Sequence, residues 1–275
     1  MKKNLALSLL IPTYNEEAII EEALKAIARD LPRSLCEITE IIVVDDGTDG
    51  LEKLVPQIAG QFPFDSVRVI RNSPPLGKGK SLAKGFTEAK GTVVGFMDVD
   101  LSTPPRYIPI AFEAISSGKA EVFIGSRRAP GSSVKRQQFF LKDILGNLLG
   151  VIARAIIFQG MPSFQDTQCG FKFYPQGVAA VLYNNLVAPD GLNDLEVLLR
   201  ANLIGYRVLE QGVEWCDLRE SKRTLRRILF GELVAISRIL WTYKVLASRQ
   251  RKILKAEASR LRAEPSNSVY LTQNP

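Results

Sequence analysis

Apolar and polar positions along the first hundred residues follow two periods in turn. Short apolar runs at Leu7–Ile11, Glu40–Val44, Val67–Ile70 and Thr92–Met97 predict strands. Between them, Glu16–Ala28 places Ala18, Ile19, Ala23, Ala26 and Ile27 mostly on one helical face, and Lys53–Phe62 and Lys80–Lys90 predict two more helices. Strands alternating with helices imply an α/β fold with a largely parallel sheet, in which ligands collect beyond the carboxyl ends of the strands. After Gly125 the pattern changes. Phe139–Phe158 predicts a long amphipathic helix, Phe171–Tyr174 a strand, Asn193–Asn202 a helix and Leu225–Leu246 a second amphipathic helix. No composition shift marks a linker before Arg249, and no internal repeat is present. The division expected is a main domain over residues 1–218, a basic amphipathic helical segment over 219–262 and a polar, aperiodic, disordered tail over 263–275.

Composition narrows the classes. With 275 residues and 46% hydrophobic content the chain can bury a sizeable core, which excludes a disordered or fibrous protein. The three cysteines, Cys36, Cys169 and Cys216, are far apart and show no paired spacing, so neither a disulfide framework nor a zinc site is expected, and a reducing compartment fits. Histidine is absent, so Ser-His-Asp and Cys-His chemistry is excluded. The start, Met1–Leu5, begins like a signal peptide, but its apolar run stops at Pro12. Ile144–Ile157 is interrupted by Arg154 and is shorter than the roughly 20 residues that cross a bilayer. Neither a signal peptide nor a membrane span is therefore expected. The formal charge of +7 is concentrated between Arg219 and Arg262, without a glycine-aromatic RNA-binding signature or a basic zipper. That favours an anionic membrane surface over nucleic acid.

The candidate chemistry lies at predicted strand ends. Asp98-Val99-Asp100 follows an apolar strand, and alternate side chains of a strand share a face, so two carboxylates could converge on one Mg2+ or Mn2+. A strand-end turn or helix cap is the plainer reading of that motif taken alone. Asp45-Asp46 ends another strand, where an Asp can accept a hydrogen bond from a base N–H; Gly47 and Gly50 read equally well as turn residues. Pro12-Thr13-Tyr14-Asn15-Glu16 adds an aromatic ring and a carboxylate, and doubles as a helix start with Asn15 as cap. Leu76–Ser81 approximates the end of a P-loop, but Pro74 stands where its first glycine belongs; the loop can still meet a phosphate through N–H groups and Lys78.

Taken in order, Ile11–Glu17, Val44–Gly47, Gly77–Lys80, Asp98–Asp100 and Gly125–Arg127 resemble glycosyltransferase family 2. The resemblance implies the GT-A fold, a mostly parallel Rossmann-like sheet flanked by helices, here with amphipathic carboxyl-terminal helices. Asp166–Lys172, Asp194-Leu195-Glu196 and Trp215 ahead of Ser221-Lys222 are similar to dolichyl-phosphate β-glucosyltransferases and bacterial polyprenyl-phosphate glycosyltransferases, from about Leu7 to about Lys244. By this resemblance Pro12, Tyr14, Glu16 and Asp46 hold the nucleotide, Asp98 and Asp100 the metal, and Arg127 approaches the donor diphosphate, with inversion at the sugar carbon. UDP-glucose is the donor implied, and a polyprenyl or dolichyl phosphate the acceptor. Ser102 stands where many mannose-transferring relatives carry a glutamine as third metal ligand, Arg219-Glu220 departs from the usual approach to Ser-Lys, and the amino-terminal anchor and carboxyl-terminal spans of many relatives are not expected here.

The acceptor sets the rest of the chemistry. A phosphate monoester is mostly dianionic near pH 7 and needs no general base, only cations to position it, for which Lys135, Arg136, Ser221, Lys222 and Arg223 are candidates. A hydroxyl acceptor, soluble or lipid, would instead require Asp166 or Asp194 as base. A non-catalytic nucleotide-sugar-binding protein recruited to membranes is the third reading. Peripheral attachment at the cytoplasmic face rests on two apolar faces, one from Phe139 to Ile157 beside Lys135, Arg136 and Lys142, the other at Leu225, Ile228, Leu229, Ile236, Ile239, Leu240 and Tyr243. The same faces could instead pack on the domain or at a contact in a homo-oligomer.

Overall fold

β-branched and large apolar residues build the centre of the molecule. In a computed structural model, which describes residues 5–136, 151, 155–158, 164–188, 192–217, 225–245 and 247–263, the strands are β1 (Leu7–Thr13), β2 (Thr39–Asp45), β3 (Ser66–Arg71), β4 (Val93–Met97), β5 (Val122–Ser126), β6 (Ser133–Arg136), β7 (Phe171–Pro175), β8 (Val208–Gly212) and β9 (Glu214–Asp217). Seven form one sheet in the order β3-β2-β1-β4-β7-β5-β8, while β6 pairs with β9. All neighbours in the large sheet are parallel except β7, which runs antiparallel between β4 and β5.

The helices are α1 (Glu17–Asp30), α2 (Arg33–Cys36), α3 (Leu51–Ile58), α4 (Lys78–Glu88), α5 (Ile108–Ser116), α6 (Gln176–Tyr183), α7 (Asn193–Ile204), α8 (Leu225–Leu240) and α9 (Ala247–Ala263), with a wider turn at Trp241–Val245 between the last two. They cover both faces of the sheet. Leu9, Ile41, Phe123 and their neighbours pack with Ile20 and Leu24 of α1, Val55 of α3 and Ile115 of α5. The alternate positions Leu10, Val94, Phe96 and Ile124 pack with Phe86 of α4, Leu182 of α6, Leu198 of α7, Ile239 of α8 and Leu254 of α9. Burial on both faces explains why these strands read as continuous apolar runs. Each fully buried Leu or Ile among them contributes about 1.5–3 kcal/mol.

The expected strands and early helices are present, shifted at their ends; the third helix starts at Lys78, so Lys78 belongs to its first turn. α5, α6, β5, β8 and β9 carry too little contrast with their flanks to be separated by periodicity, and β7's direction is a tertiary choice. The helix expected over Phe139–Phe158 lies largely outside the described residues, although Ile157 and Phe158 are buried. Residues 264–275 of the expected tail also lie outside them. Of the two readings of the second apolar face, packing on the domain holds for part of it: Ile239 of α8 and Tyr243 of the turn after it are buried, and Ile236 and Leu240 pack against the core, while the side chains of Leu225, Ile228 and Leu229 lie outside those described.

Candidate active site

The parallel strands β1, β2, β4 and β5 all finish on one edge of the sheet, and the reversed β7 brings the loop before it, Asp166–Gly170, to that same edge. Topology thus gathers five motifs that are distant in sequence.

Asp98 is the first residue beyond β4. Its N–H donates to the Gly170 carbonyl (3.1 Å), and the Leu101 N–H closes a turn on the Asp98 carbonyl (3.2 Å), with Leu101 at φ +57°. The Ser102 N–H donates to Asp100 Oδ1 at 3.0 Å. The two carboxylates therefore sit in a turn past the strand and not at alternate strand positions as expected, because the strand ends at Met97. A side chain at Gly170 would have to displace this carboxylate, since a Cβ would lie 1.8 Å from Asp98 Oδ2. Lys78 Nζ lies 2.7 Å from Asp98 Oδ1. Among the described residues no third acidic, Cys or His side chain completes a metal cluster. Mg2+ commonly takes one or two carboxylates and fills its other positions with water and phosphate oxygens, so the hard donors of Asp98 and Asp100 fit such an ion.

Asp45 and Asp46 face different ways. Asp45 is buried and committed: it accepts from Thr13 Oγ1 (3.2 Å) and the Gly47 N–H (2.8 Å) and pairs with Arg71 Nη1 at 2.5 Å. Asp46 organises the glycine-rich loop. It accepts from Asn72 Nδ2 (2.7 Å), Ser81 Oγ (2.8 Å) and the N–H groups of Gly77 (2.7 Å) and Leu76 (3.3 Å). Gly77 takes φ +83°, a region that glycine enters at little cost, and so starts α4 with Lys78 facing Asp98.

Tyr14 and Glu16 stand past β1; the Tyr14 ring is 57% exposed, while Pro12 and Glu16 are half-buried. Asn15 does not cap α1 as expected. At φ +56° its Oδ1 accepts the Thr48 N–H (2.7 Å), while Asp49 accepts the Glu17 N–H (2.8 Å) and Glu17 accepts the Gly50 N–H (2.8 Å). The cap comes from the next loop, which ties the ends of β1 and β2 together.

Two ion pairs lie behind this edge. The Arg127 guanidinium donates to both oxygens of Asp166 (2.6 and 2.8 Å), its backbone N–H adds a third bond (3.0 Å), and its charge lies 5.2 Å from the Trp215 ring centre. Burial opposes both charges, yet the bonds from Arg127 and the Gln168 N–H hold the Asp166 carboxyl well below the usual range. Near neutral pH Asp166 is an anion that fixes Arg127. Lys172, fully buried on β7, donates to Asp194 Oδ1 of α7 (2.7 Å) and to the Cys169 carbonyl (2.6 Å). Burial pushes the Cys169 thiol up to about 11, so it stays protonated.

Of the acceptor candidates, Lys135 is exposed on β6, Arg136 pairs through its backbone with Asp217 of β9, and Ser221, Lys222 and Arg223 lie outside the described residues. Asn72 falls in none of the motifs, and Ser81 and Lys172 end two of them without a role that the motifs assign. For Lys172 a signal existed, since a lone cation inside Phe171-Lys172-Phe173-Tyr174 must find a buried partner.

The chain matches the family described as Glycosyl transferase family 2 over residues 8–176, more than half its length. It belongs to that family. This glycosyltransferase is 27% identical to glycosyltransferase AglD of Haloferax volcanii over 90% of its own chain but only 39% of AglD's, so it spans well under half that relative's length. It is 25% identical to the dolichyl-phosphate beta-glucosyltransferase of Dictyostelium discoideum, over 80% of this chain and 69% of that one. Among solved structures, S. aureus TarS residues 1–349 with UDP aligns at a TM-score of 0.55 and 16% identity, covering 98% of this chain and 75% of TarS. Glucosyl-3-phosphoglycerate synthase of Mycobacterium tuberculosis, in complex with Mn2+, UDP and glucosyl-3-phosphoglycerate, aligns at a TM-score of 0.56 and 18% identity, covering 87% of this chain and 80% of that one. These likenesses establish the GT-A fold for the family 2 enzyme.

Proposed function

We propose that the enzyme moves a hexose, glucose from UDP-glucose, onto the phosphate of a polyprenyl or dolichyl carrier at the cytoplasmic face of a membrane, with inversion at the sugar carbon. One observation carries the acceptor class. Asp166 and Asp194, the carboxylates on which a hydroxyl acceptor would depend, are both tied in buried ion pairs, to Arg127 and Lys172. An acceptor that arrives already ionised needs neither. In the transfer an oxygen of the dianionic phosphate forms the new bond to the sugar carbon, and the bond from that carbon to the nucleoside diphosphate breaks with its electron pair, leaving on the diphosphate. No proton has to move.

Asp98 and Asp100 would hold Mg2+ or Mn2+, whose charge, when bound, offsets the negative charge gathering on the leaving diphosphate. Tyr14, Glu16, Asp46 and Pro12 surround the nucleotide end, Asp46 by shaping the loop of Lys78 and Asp45 by bracing β2 against Arg71. Lys135, Arg136, Ser221, Lys222 and Arg223 position the acceptor phosphate. The names of the dolichyl-phosphate relatives and the UDP complexes of the fold neighbours support the same substrates.

No helix among the described residues is long and apolar enough to cross a membrane. Surface contact is assigned instead to Leu233 of α8 and Trp241 of the turn that follows it, 56% and 62% exposed, with exposed Ile253 and the cations Arg238, Lys252, Lys255 and Arg260. The test of the activity is incubation with radiolabelled nucleotide sugars and either undecaprenyl phosphate or undecaprenol. Label is expected only with the phosphate and UDP-glucose, in an acid-labile product. Equal transfer to undecaprenol would overturn the acceptor class.

A further inference from the structure

The two lysines that bracket Phe96 are built for different tasks. Lys172 Nζ lies 5.5 Å from the ring centre, fully buried, and cannot leave Asp194 without stranding a charge in the core. Lys78 Nζ lies 5.2 Å from the same ring, and its pair with Asp98 is half in water, with side-chain exposures of 27% and 40%. Pairs this wet are worth only about 0–1 kcal/mol, so this one can open.

We infer that Lys78 is an exchangeable counter-ion: it neutralises Asp98 while the donor site is empty and transfers to the donor's diphosphate when a divalent cation takes over the carboxylate. The inference rests on the donor-site reading of Asp98 and Asp100. An ammonium 2.7 Å from Asp98 Oδ1 occupies the space in which a cation would bind that oxygen, and the two positive charges repel at that range. The other oxygen, Oδ2, lies on the side of Gly170 where any other residue would carry its Cβ. Cation entry therefore displaces the ammonium. The phosphate oxygens that complete the cation's shell offer Lys78 a new partner, for which a flexible point charge is well suited. The base of Lys78 stays put during this exchange, because Asp46 holds the Gly77 and Leu76 N–H groups and Ser81 on either side of it. Only the side chain has to swing. A cation alone then binds against Lys78, whereas cation and nucleotide together bind with its help, which makes the two ligands cooperative and reciprocally so.

The experiment compares the full chain with Lys78→Met, which keeps the length and removes the charge. Free Mn2+ is measured by electron paramagnetic resonance without nucleotide, and UDP affinity by calorimetry at saturating Mn2+. Lys78→Met should bind Mn2+ alone at least about 3-fold more tightly, as loss of a pair near 0.7 kcal/mol implies. The same variant should bind UDP about 10-fold more weakly in Mn2+. Mn2+ binding that is unchanged or weaker without nucleotide overturns the inference, and so does unchanged UDP affinity. Asp98→Asn separates the two layers. If it binds Mn2+ and UDP as the wild type does, the donor-site reading itself fails.

Discussion

Asp100 accepts the Ser102 N–H on Oδ1, and Asp98 is set by the Gly170 carbonyl, by Lys78 and by its own turn. Asp100→Asn should keep the fold by circular dichroism and lower metal-dependent kcat/KM by at least about 100-fold, near 2.7 kcal/mol of transition-state stabilisation. Normal transfer in that variant would remove the metal assignment. Gly170→Ala tests the seat of Asp98, since the added carbon must push the carboxylate aside. Its apparent KM for Mn2+ should rise about 10-fold, a size typical of lost ligand support; an unchanged value would mean that the turn relaxes without moving Asp98. The Asp166–Arg127 pair gives a pH dependence of definite sign. The folded carboxyl lies below its unfolded value of about 3.9, so the stabilisation is complete above that pH and is lost as the pH falls below it. Urea unfolding of Asp166→Asn should show a deficit of about 3 kcal/mol at neutral pH that narrows below about pH 4.

α7 carries a second buried system, which joins the end of α6 and the loop after it to the turn that follows α8. Glu196 accepts the N–H groups of Val187 (3.0 Å) and Ala188 (2.8 Å), the Tyr243 hydroxyl (2.7 Å) and Arg200 Nη2 (2.9 Å). Arg200 in turn donates to the carbonyls of Leu182, Asn184 and Asn185. This network fastens the turn at Trp241–Val245 to α7. Its members are spaced for it, since Glu196 and Arg200 are one helical turn apart, but Tyr243 is too remote in sequence to be paired with them by pattern. Glu196→Gln leaves Arg200 without a buried counter-charge and should cost about 3–5 kcal/mol, while Tyr243→Phe should cost about 1–3 kcal/mol. Thermal melts of both variants would rank them; equal melting temperatures would show that the turn is not fastened there.

At the scale of the whole molecule, a basic helical end belongs to a domain whose ligand edge carries the carboxylates Asp98 and Asp100 with Lys78 beside them. If the surface carrying Leu233 and Trp241 meets the membrane, replacing both by serine should weaken sedimentation with anionic vesicles about 10-fold and leave binding to neutral vesicles low in both proteins. Binding to anionic vesicles that the double variant retains in full would move the contact elsewhere.

Much of this was legible in sequence for a local reason. Strand and helix periods, the motifs at strand ends and the spacing of Glu196 and Arg200 depend on neighbours a few positions away, and Asp98-Val99-Asp100 was recognisable among its companion motifs. The partner of each carboxylate was not legible. That Asp45 belongs to Arg71, Asp166 to Arg127, Asp194 to Lys172 and Asp98 to Lys78 was decided by strand order, above all by β7 entering the sheet backwards between β4 and β5. A charge takes whatever partner the packed chain brings within about 3 Å, and that distance is set by topology, not by position along the sequence.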